Sequence, residues 1–124
     1  MEGRDIETIR GDMLPLSITL EDVLDAPESF KKDDVIRFLV FDKKDVDNIH
    51  INKDFTIEED TDELYIEIPA ETMEFGEISS KPIEYGYELK LNPDKPTRVT
   101  IVGFIKDVGF PILTLLPGSG DDND

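Results

Sequence analysis

The chain has 124 residues, of which 38% are hydrophobic and 35% charged, and its 30 acidic and 13 basic residues give a net charge of −17. This length suits one domain with a modest core. The negative field disfavours binding to nucleic-acid phosphates and to anionic membranes, and it is consistent with a solvated acidic surface, a basic partner or bound cations.

Cysteine is absent, which excludes a disulfide framework, thiolate metal sites and a cysteine nucleophile. No apolar run approaches the ~18 residues of a membrane-spanning helix. The segment Met1–Asp5 lacks the basic start and apolar stretch of a signal peptide. We therefore expect a protein of a host cytoplasm or of a particle assembled there, with no membrane partner.

The first predicted strand, Leu14–Leu20, alternates apolar and polar residues, and Pro15 indicates that it lies at a sheet edge. Residues 22–34 are polar and form a connection. The next segment, Val35–Phe41, is almost continuously apolar, which predicts a central strand buried on both faces.

Two further strands are predicted around an acidic turn. A charged turn over residues 42–48 precedes the alternating segment Ile49–Ile57, in which His50 falls on the polar face. The acidic turn at residues 58–63 then leads into Leu64–Ile68. We expect these two strands to pair as a hairpin.

The remaining segments complete the predicted order. Pro69 ends the preceding strand, and residues 70–75 are the best candidate for a short helical turn. Three more strands are predicted, and a strong turn at Asn92–Pro96 follows the first of them. These strands are Tyr85–Leu91, Thr97–Phe104 and Phe110–Leu116.

Six or seven short strands separated by turns are typical of an antiparallel β-sandwich or barrel. We divide the chain into an N-terminal arm (residues 1–9), one β domain (residues 10–116) and a disordered acidic tail (residues 117–124).

No catalytic residue, cofactor-binding residue or metal ligand is predicted. His50 is the only histidine and is interpreted as a surface residue, since zinc sites need several His or Cys ligands. Calcium is the remaining alternative, but neither acidic turn has the EF-hand spacing. The oxygen-bearing residues of these turns are Asp42, Asp45, Asp47, Asn48, Glu58, Glu59, Asp60, Asp62 and Glu63.

Two short motifs have simple structural interpretations. Arg10-Gly11-Asp12 spells an integrin-binding triplet, but we interpret it as a turn before the first predicted strand. Tyr85 and Tyr87 fall on the same face of a strand, which predicts core packing in preference to a binding role.

The last apolar segment allows two interpretations. It either completes the sandwich or acts as an edge strand donated to a neighbouring subunit. Its predicted partner-binding residues are Phe110, Ile112, Leu113, Leu115 and Leu116.

Five segments in this order carry a family resemblance: Arg10–Leu16, Phe30–Phe38, Ile66–Gly76, Tyr85–Leu89 and Lys95–Gly103. Over about residues 10–116 the chain resembles small prophage-encoded structural proteins of Gram-positive bacteria, and the N-terminal domain of phage baseplate upper proteins. It departs from their pattern where Asp33-Asp34 replaces Gly-Asp, and where residues 77–84 separate Gly76 from the tyrosines.

The resemblance implies an immunoglobulin-like β-sandwich with a structural role in a phage tail or baseplate, and it implies no catalytic residues. The expected function is therefore a non-catalytic virion-associated assembly protein, with other phage structural proteins or a second copy of the chain as partners. The alternative function is a calcium- or carbohydrate-binding β-sandwich module.

Overall fold

The structure is a computed structural model that describes residues 5–21, 23, 25–76, 80–103 and 109–118. All regular elements in these residues are β-strands, which confirms the all-β prediction. The strands are β1 (Ile6–Ile9), β2 (Leu14–Thr19), β3 (Val35–Asp42), β4 (Asp45–Thr56), β5 (Glu63–Ile68), β6 (Ile83–Leu91), β7 (Val99–Val102) and β8 (Ile112–Leu116).

The strands form two sheets of unequal size. The larger sheet has the order β1-β8-β6-β3-β4, with β7 also paired to β6, and the smaller sheet consists of β2 and β5. All strand pairs are antiparallel except β1 and β8, which run parallel. The larger sheet is therefore mixed, and the two sheets together are consistent with a β-sandwich.

One hydrophobic core joins the two sheets. The predicted inward face of the first strand is confirmed, because Leu14, Leu16 and Ile18 of β2 are buried while Pro15 is exposed. Within the described residues β2 pairs only with β5, so Pro15 does lie on an edge strand. A proline is tolerated there because an edge strand does not need every N–H.

β3 is central in the larger sheet, as its apolar sequence predicts, with β4 on one side and β6 on the other. Its core-facing side chains Ile36, Phe38 and Val40 have no exposed surface. On the opposite face Arg37 and Leu39 are half-buried, whereas Phe41 is buried.

The predicted hairpin between the strands on either side of residues 58–62 is wrong. β4 pairs with β3 in the larger sheet, and β5 pairs with β2 in the smaller one. The acidic connection crosses between sheets and is held by hydrogen bonds between the backbones of Phe30 and Thr61. Alternation of apolar residues fixes which face of a strand is buried but not which strand lies beside it.

The predicted helical turn at residues 70–75 is also wrong, since this segment forms successive turns. Met73 and Phe75 are both buried, and alternate residues of a helix cannot face the same core. The Met73 carbonyl accepts a hydrogen bond from the Gly11 amide, and Gly76 ends the segment at φ +77°. The amides of Thr72, Met73 and Glu74 donate to carbonyls three or four residues earlier, but these bonds form single turns and do not continue into a helix.

The segment assigned to an N-terminal arm contains a strand that the sequence pattern did not indicate. β1 pairs with β8, so that Ile6 lies beside Leu113 and Ile9 beside Leu116. The described part of the predicted tail is Pro117 and Gly118, and the rest lies outside the described residues.

Candidate interaction surfaces

The segment predicted to bind a partner, Phe110–Leu116, forms β8 and the two residues before it. β8 lies between β1 and β6, so it has a neighbouring strand on each side and completes the larger sheet. Leu113 and Leu115 are buried in the core, at 0% and 3% exposure. Of the five predicted partner-binding residues, these two are inaccessible in the folded chain.

The other three predicted residues, Phe110, Ile112 and Leu116, are half-buried. Ile112 pairs with Gly86 of β6 and alternates with the core residues of β8, so it faces away from the core. The Phe110 ring packs edge-to-face on Phe41, with centroids 4.8 Å apart. Leu116, four residues after Ile112 in β8, lies beside Ile9 of β1. Partner binding through these three residues stays a prediction.

Two strand edges lie next to each other on another side of the molecule. Within the described residues β4 pairs only with β3 and β5 only with β2. Between β4 and β5 runs a groove of about 440 Å³ that is lined by Phe55, Leu64 and Ile66. An unpaired strand edge presents backbone N–H and C=O groups that another strand can bind.

The rim of this groove is acidic. Glu58, Glu59, Glu63 and Glu67 line it and are all exposed. Tyr65 projects from β5 between two of them and is 57% exposed. Partial desolvation, and then the charge and hydrogen bond of Glu67, raise the pKa of the Tyr65 hydroxyl above its ordinary value.

A second, open groove of about 930 Å³ lies where β3 and β4 meet β6. On its wall His50 Nε2 lies 2.5 Å from Asp42 Oδ1, and Asn48 Nδ2 donates to Asp42 Oδ2 at 2.5 Å. The His50 ring packs edge-to-face on Tyr85 at 5.0 Å and lies 5.8 Å from Phe75.

His50 is therefore half-buried against aromatic rings, which differs from the surface position predicted for it. The cause is an irregular register: Val40 pairs with Ile51 but Phe41 pairs with Ile49, which leaves His50 as an extra residue. Such a bulge rotates side chains away from simple alternation. No periodicity in the sequence signals this displacement.

The pKa of Asp42 is lowered, mainly by its hydrogen bond with His50 and further by the one from Asn48, against an opposing desolvation effect. Asp42, the last residue of β3, thus orients the imidazole and joins the two strands of the β3–β4 hairpin near its turn. The hydroxyl-bearing residues that line this groove are Tyr85 and Thr114. The arrangement fixes the hairpin, and it gives no observation from which to assign a reaction.

The acidic turns do not assemble a metal site within the part of the chain that the structure describes. No group of three or more His, Cys, Asp or Glu side chains there could hold a metal ion. Asp60 accepts a hydrogen bond from the Lys32 amide and lies 3.8 Å from Lys31 Nζ. The calcium alternative therefore gains no support from the geometry.

The two short motifs have the structural roles that the sequence predicted. Arg10 donates to the carbonyls of Phe75 and Glu74, and Gly11 adopts φ +87°, so the Arg-Gly-Asp triplet forms a tight turn between β1 and β2. Tyr85 and Tyr87 are buried in the core, at 4% and 0% exposure. Neither tyrosine offers an exposed platform for a sugar.

In the part of the chain that the structure describes, there is no helix with the length and apolar character needed to cross a membrane. Compared with protein-family models, curated proteins and solved structures, the chain has no match.

Proposed function

We propose that this chain is a non-catalytic structural protein of a phage or prophage particle, an immunoglobulin-like β-sandwich that joins other tail or baseplate proteins. The observation that carries the proposal is the edge position of β4 and β5, each of which pairs with one strand only among the described residues, beside a groove that both strands help to line. Strand edges of this kind are surfaces on which assembly proteins add a neighbour's strand.

The backbone at Asp33 supports the resemblance on which the phage setting rests. Asp33 adopts φ +73°, a left-handed conformation that favours glycine. This is the position at which the resembled proteins tend to have glycine. The residue that departs from the pattern thus stands in a backbone conformation that glycine would favour.

Gly76 supports the resemblance in the same way. An added Cβ atom at Gly76 would collide with the hydroxyl of Tyr85, so the glycine and the first tyrosine of the motif are in contact. The residues inserted between them in sequence leave this contact in place. The glycine and tyrosine segments that carry the resemblance therefore lie together in this fold.

The surface fits an assembly role as well. The net charge of −17 keeps free copies apart in solution, and the half-buried side chains of Phe110, Ile112 and Leu116 offer further apolar contact area. A partner with complementary charge would overcome the repulsion that separates identical copies.

The proposal is tested on particles released after prophage induction in the strain that carries the gene. Lysates are separated on a density gradient, and an antibody against the chain is used on each fraction. We expect the chain to sediment with tail-containing particles and to stay with them after a wash in high salt. The genes beside its own should encode tail, tape-measure or lysis proteins.

A soluble host protein of similar mass, followed in the same gradient, controls for trapping. The proposal fails if particles form and the chain remains with that control at the top of the gradient. Neighbouring genes for ordinary metabolism would also contradict the phage setting.

A further inference from the structure

The groove between β4 and β5 has the shape of a site for one extended segment. Its floor is apolar, formed by Phe55, Leu64 and Ile66. The edge of β5 lines one side, and the end of β4 with residues 57–59 and 61 of the connection lines the other. Tyr65 stands beside it at 57% exposure, the largest value among the exposed large hydrophobic residues described. A strand added to β5 would extend the smaller sheet and cover this floor.

The rim of the groove specifies the charge of that segment. Glu63 and Glu67 lie on the solvent-facing side of β5, with Tyr65 between them, and Glu58 and Glu59 follow β4. Their carboxylates form no ion pair within the described part of the chain, whereas the neighbouring Asp60 is already engaged by Lys31. Lysine or arginine directly opposite Glu63 and Glu67 would relieve this excess of negative charge.

Charged or polar and apolar side chains alternate along β5, so a strand that pairs with it needs a matching alternation. Leu64 and Ile66 lie on the core-facing side of β5 and form part of the groove floor, while Glu63, Tyr65 and Glu67 face solvent. Residues directly opposite each other on adjacent strands share a face of the sheet. The incoming strand therefore needs basic side chains at every second position and apolar side chains between them.

A second copy of the chain fits this groove poorly. In a two-fold symmetric contact the same surface meets itself, so the glutamates of one β5 edge would face those of the other. The lysine pairs of this chain, Lys31-Lys32 and Lys43-Lys44, are each followed directly by aspartate. The charge argument thus favours a different, basic protein.

We infer that the β4–β5 groove binds an extended, alternating basic and apolar segment of a partner protein, which adds as a strand to the free edge of β5. This inference rests on the assembly role proposed above and names its partner chemistry. The apolar side chains of the segment cover Phe55 and Leu64, and its basic side chains pair with Glu63 and Glu67.

The test uses a synthetic peptide of about seven residues, blocked at both ends, in which lysine alternates with valine. Its control has the same composition with the lysines and valines in two blocks. Titration of the full chain is followed by two-dimensional amide NMR. We expect the alternating peptide to bind more tightly than the control and to change the amide chemical shifts of residues 63–67. Equal affinity for the two peptides would show that only charge attracts them, which would overturn the inference.

Two matched variants locate the site. Glu63→Gln with Glu67→Gln removes two charges from the groove, and Glu7→Gln with Glu71→Gln removes two exposed charges elsewhere. We expect about fivefold to tenfold weaker binding from the groove variant and no change from the control variant. Equal weakening by both variants would show non-specific attraction and overturn the inference.

Light scattering at several concentrations tests whether a second copy of the chain occupies the groove instead. The chain should stay monomeric, whereas a dimer that depends on Glu63 and Glu67 would place a second copy in the groove and overturn the inference. Failure of the groove and failure of the phage role are distinguishable. Peptide binding by a chain that is absent from particles would remove only the role, and particle association without peptide binding would remove only the groove.

Discussion

Gly86 lies directly beneath the ring of Phe41, so that a Cβ atom at position 86 would come within 2.5 Å of Phe41 Cε2. Phe41 in turn packs edge-to-face against Phe110. The Phe41 ring thus covers a residue without a side chain in β6, one of the central strands of the larger sheet, and the Phe110 ring packs against Phe41.

We expect Gly86→Ala to lower the free energy of unfolding by about 1–3 kcal/mol, because the added methyl group must displace the Phe41 ring. Urea unfolding of the single variant measures this loss. Phe41→Leu in the same chain should relieve part of the clash, so the double variant loses less than the sum of the two single variants. Strict additivity would contradict the proposed contact.

Asp33→Gly should raise the free energy of unfolding by up to about 1 kcal/mol, since glycine adopts the left-handed conformation of this position without steric cost. The control is Asp47→Gly, in strand β4, where glycine adds only conformational freedom to the unfolded chain and should be destabilising. Thermal unfolding of both variants checks the opposite signs. Destabilisation by Asp33→Gly would argue against strain at this position.

Asn92 is a buried polar residue that connects the turn after β6 to the start of β3. Its Oδ1 accepts from the Val35 amide at 2.9 Å, and its Nδ2 donates to Asp34 Oδ1 at 3.1 Å. We expect Asn92→Ala to cost about 2–3 kcal/mol in unfolding free energy, because the Val35 amide loses its partner. Asn92→Gly tolerates the positive φ, so the difference between the two variants reports backbone strain, and equal losses would exclude it.

The Asp42–His50 contact makes stability depend on pH. Because the pKa of Asp42 is lowered by folding, its ionised form contributes stability above the unfolded-state value of about 3.9, and this contribution is lost as the pH falls through the folded-state pKa. We expect acid to destabilise the natural chain more steeply than Asp42→Asn. Urea unfolding from about pH 5 downward measures the slopes.

Asp47→Asn controls for the loss of one negative charge, because Asp47 lies in β4, as His50 does, but has no hydrogen bond with His50 in the described structure. Its slope should match that of the natural chain. Equal slopes for all three proteins below about pH 4 would contradict the role assigned to Asp42.

The fold class and the position of β3 could be predicted because they follow from composition along single strands. A nearly continuous apolar run such as Val35–Phe41 is stable only where sheet neighbours and a packed face remove it from water. Strand pairing could not be predicted in the same way. The hairpin predicted between residues 49–57 and 64–68 failed because alternation carries no information about the neighbouring strand.

The candidate surfaces depend on three-dimensional details that the sequence conceals. Ile6–Ile9 is too short to show a pattern, yet it pairs with β8 and removes that strand from the sheet edge. The bulge opposite Phe41 turns His50 towards Tyr85. The β4–β5 groove arises only because the two strands belong to different sheets. In the sequence, its residues Glu58, Glu59 and Glu63 stand in an acidic cluster that suggests calcium.

The parallel pairing of β1 with β8 has a consequence for how the chain folds. The Ile112 amide donates to the side chain of Asp5, 107 positions earlier in the sequence. Contacts of such sequence separation require a large loop to close, which slows folding and postpones the last pairings. On the ribosome, β1 can therefore pair only after β8 has emerged, and the larger sheet is completed only from that point on.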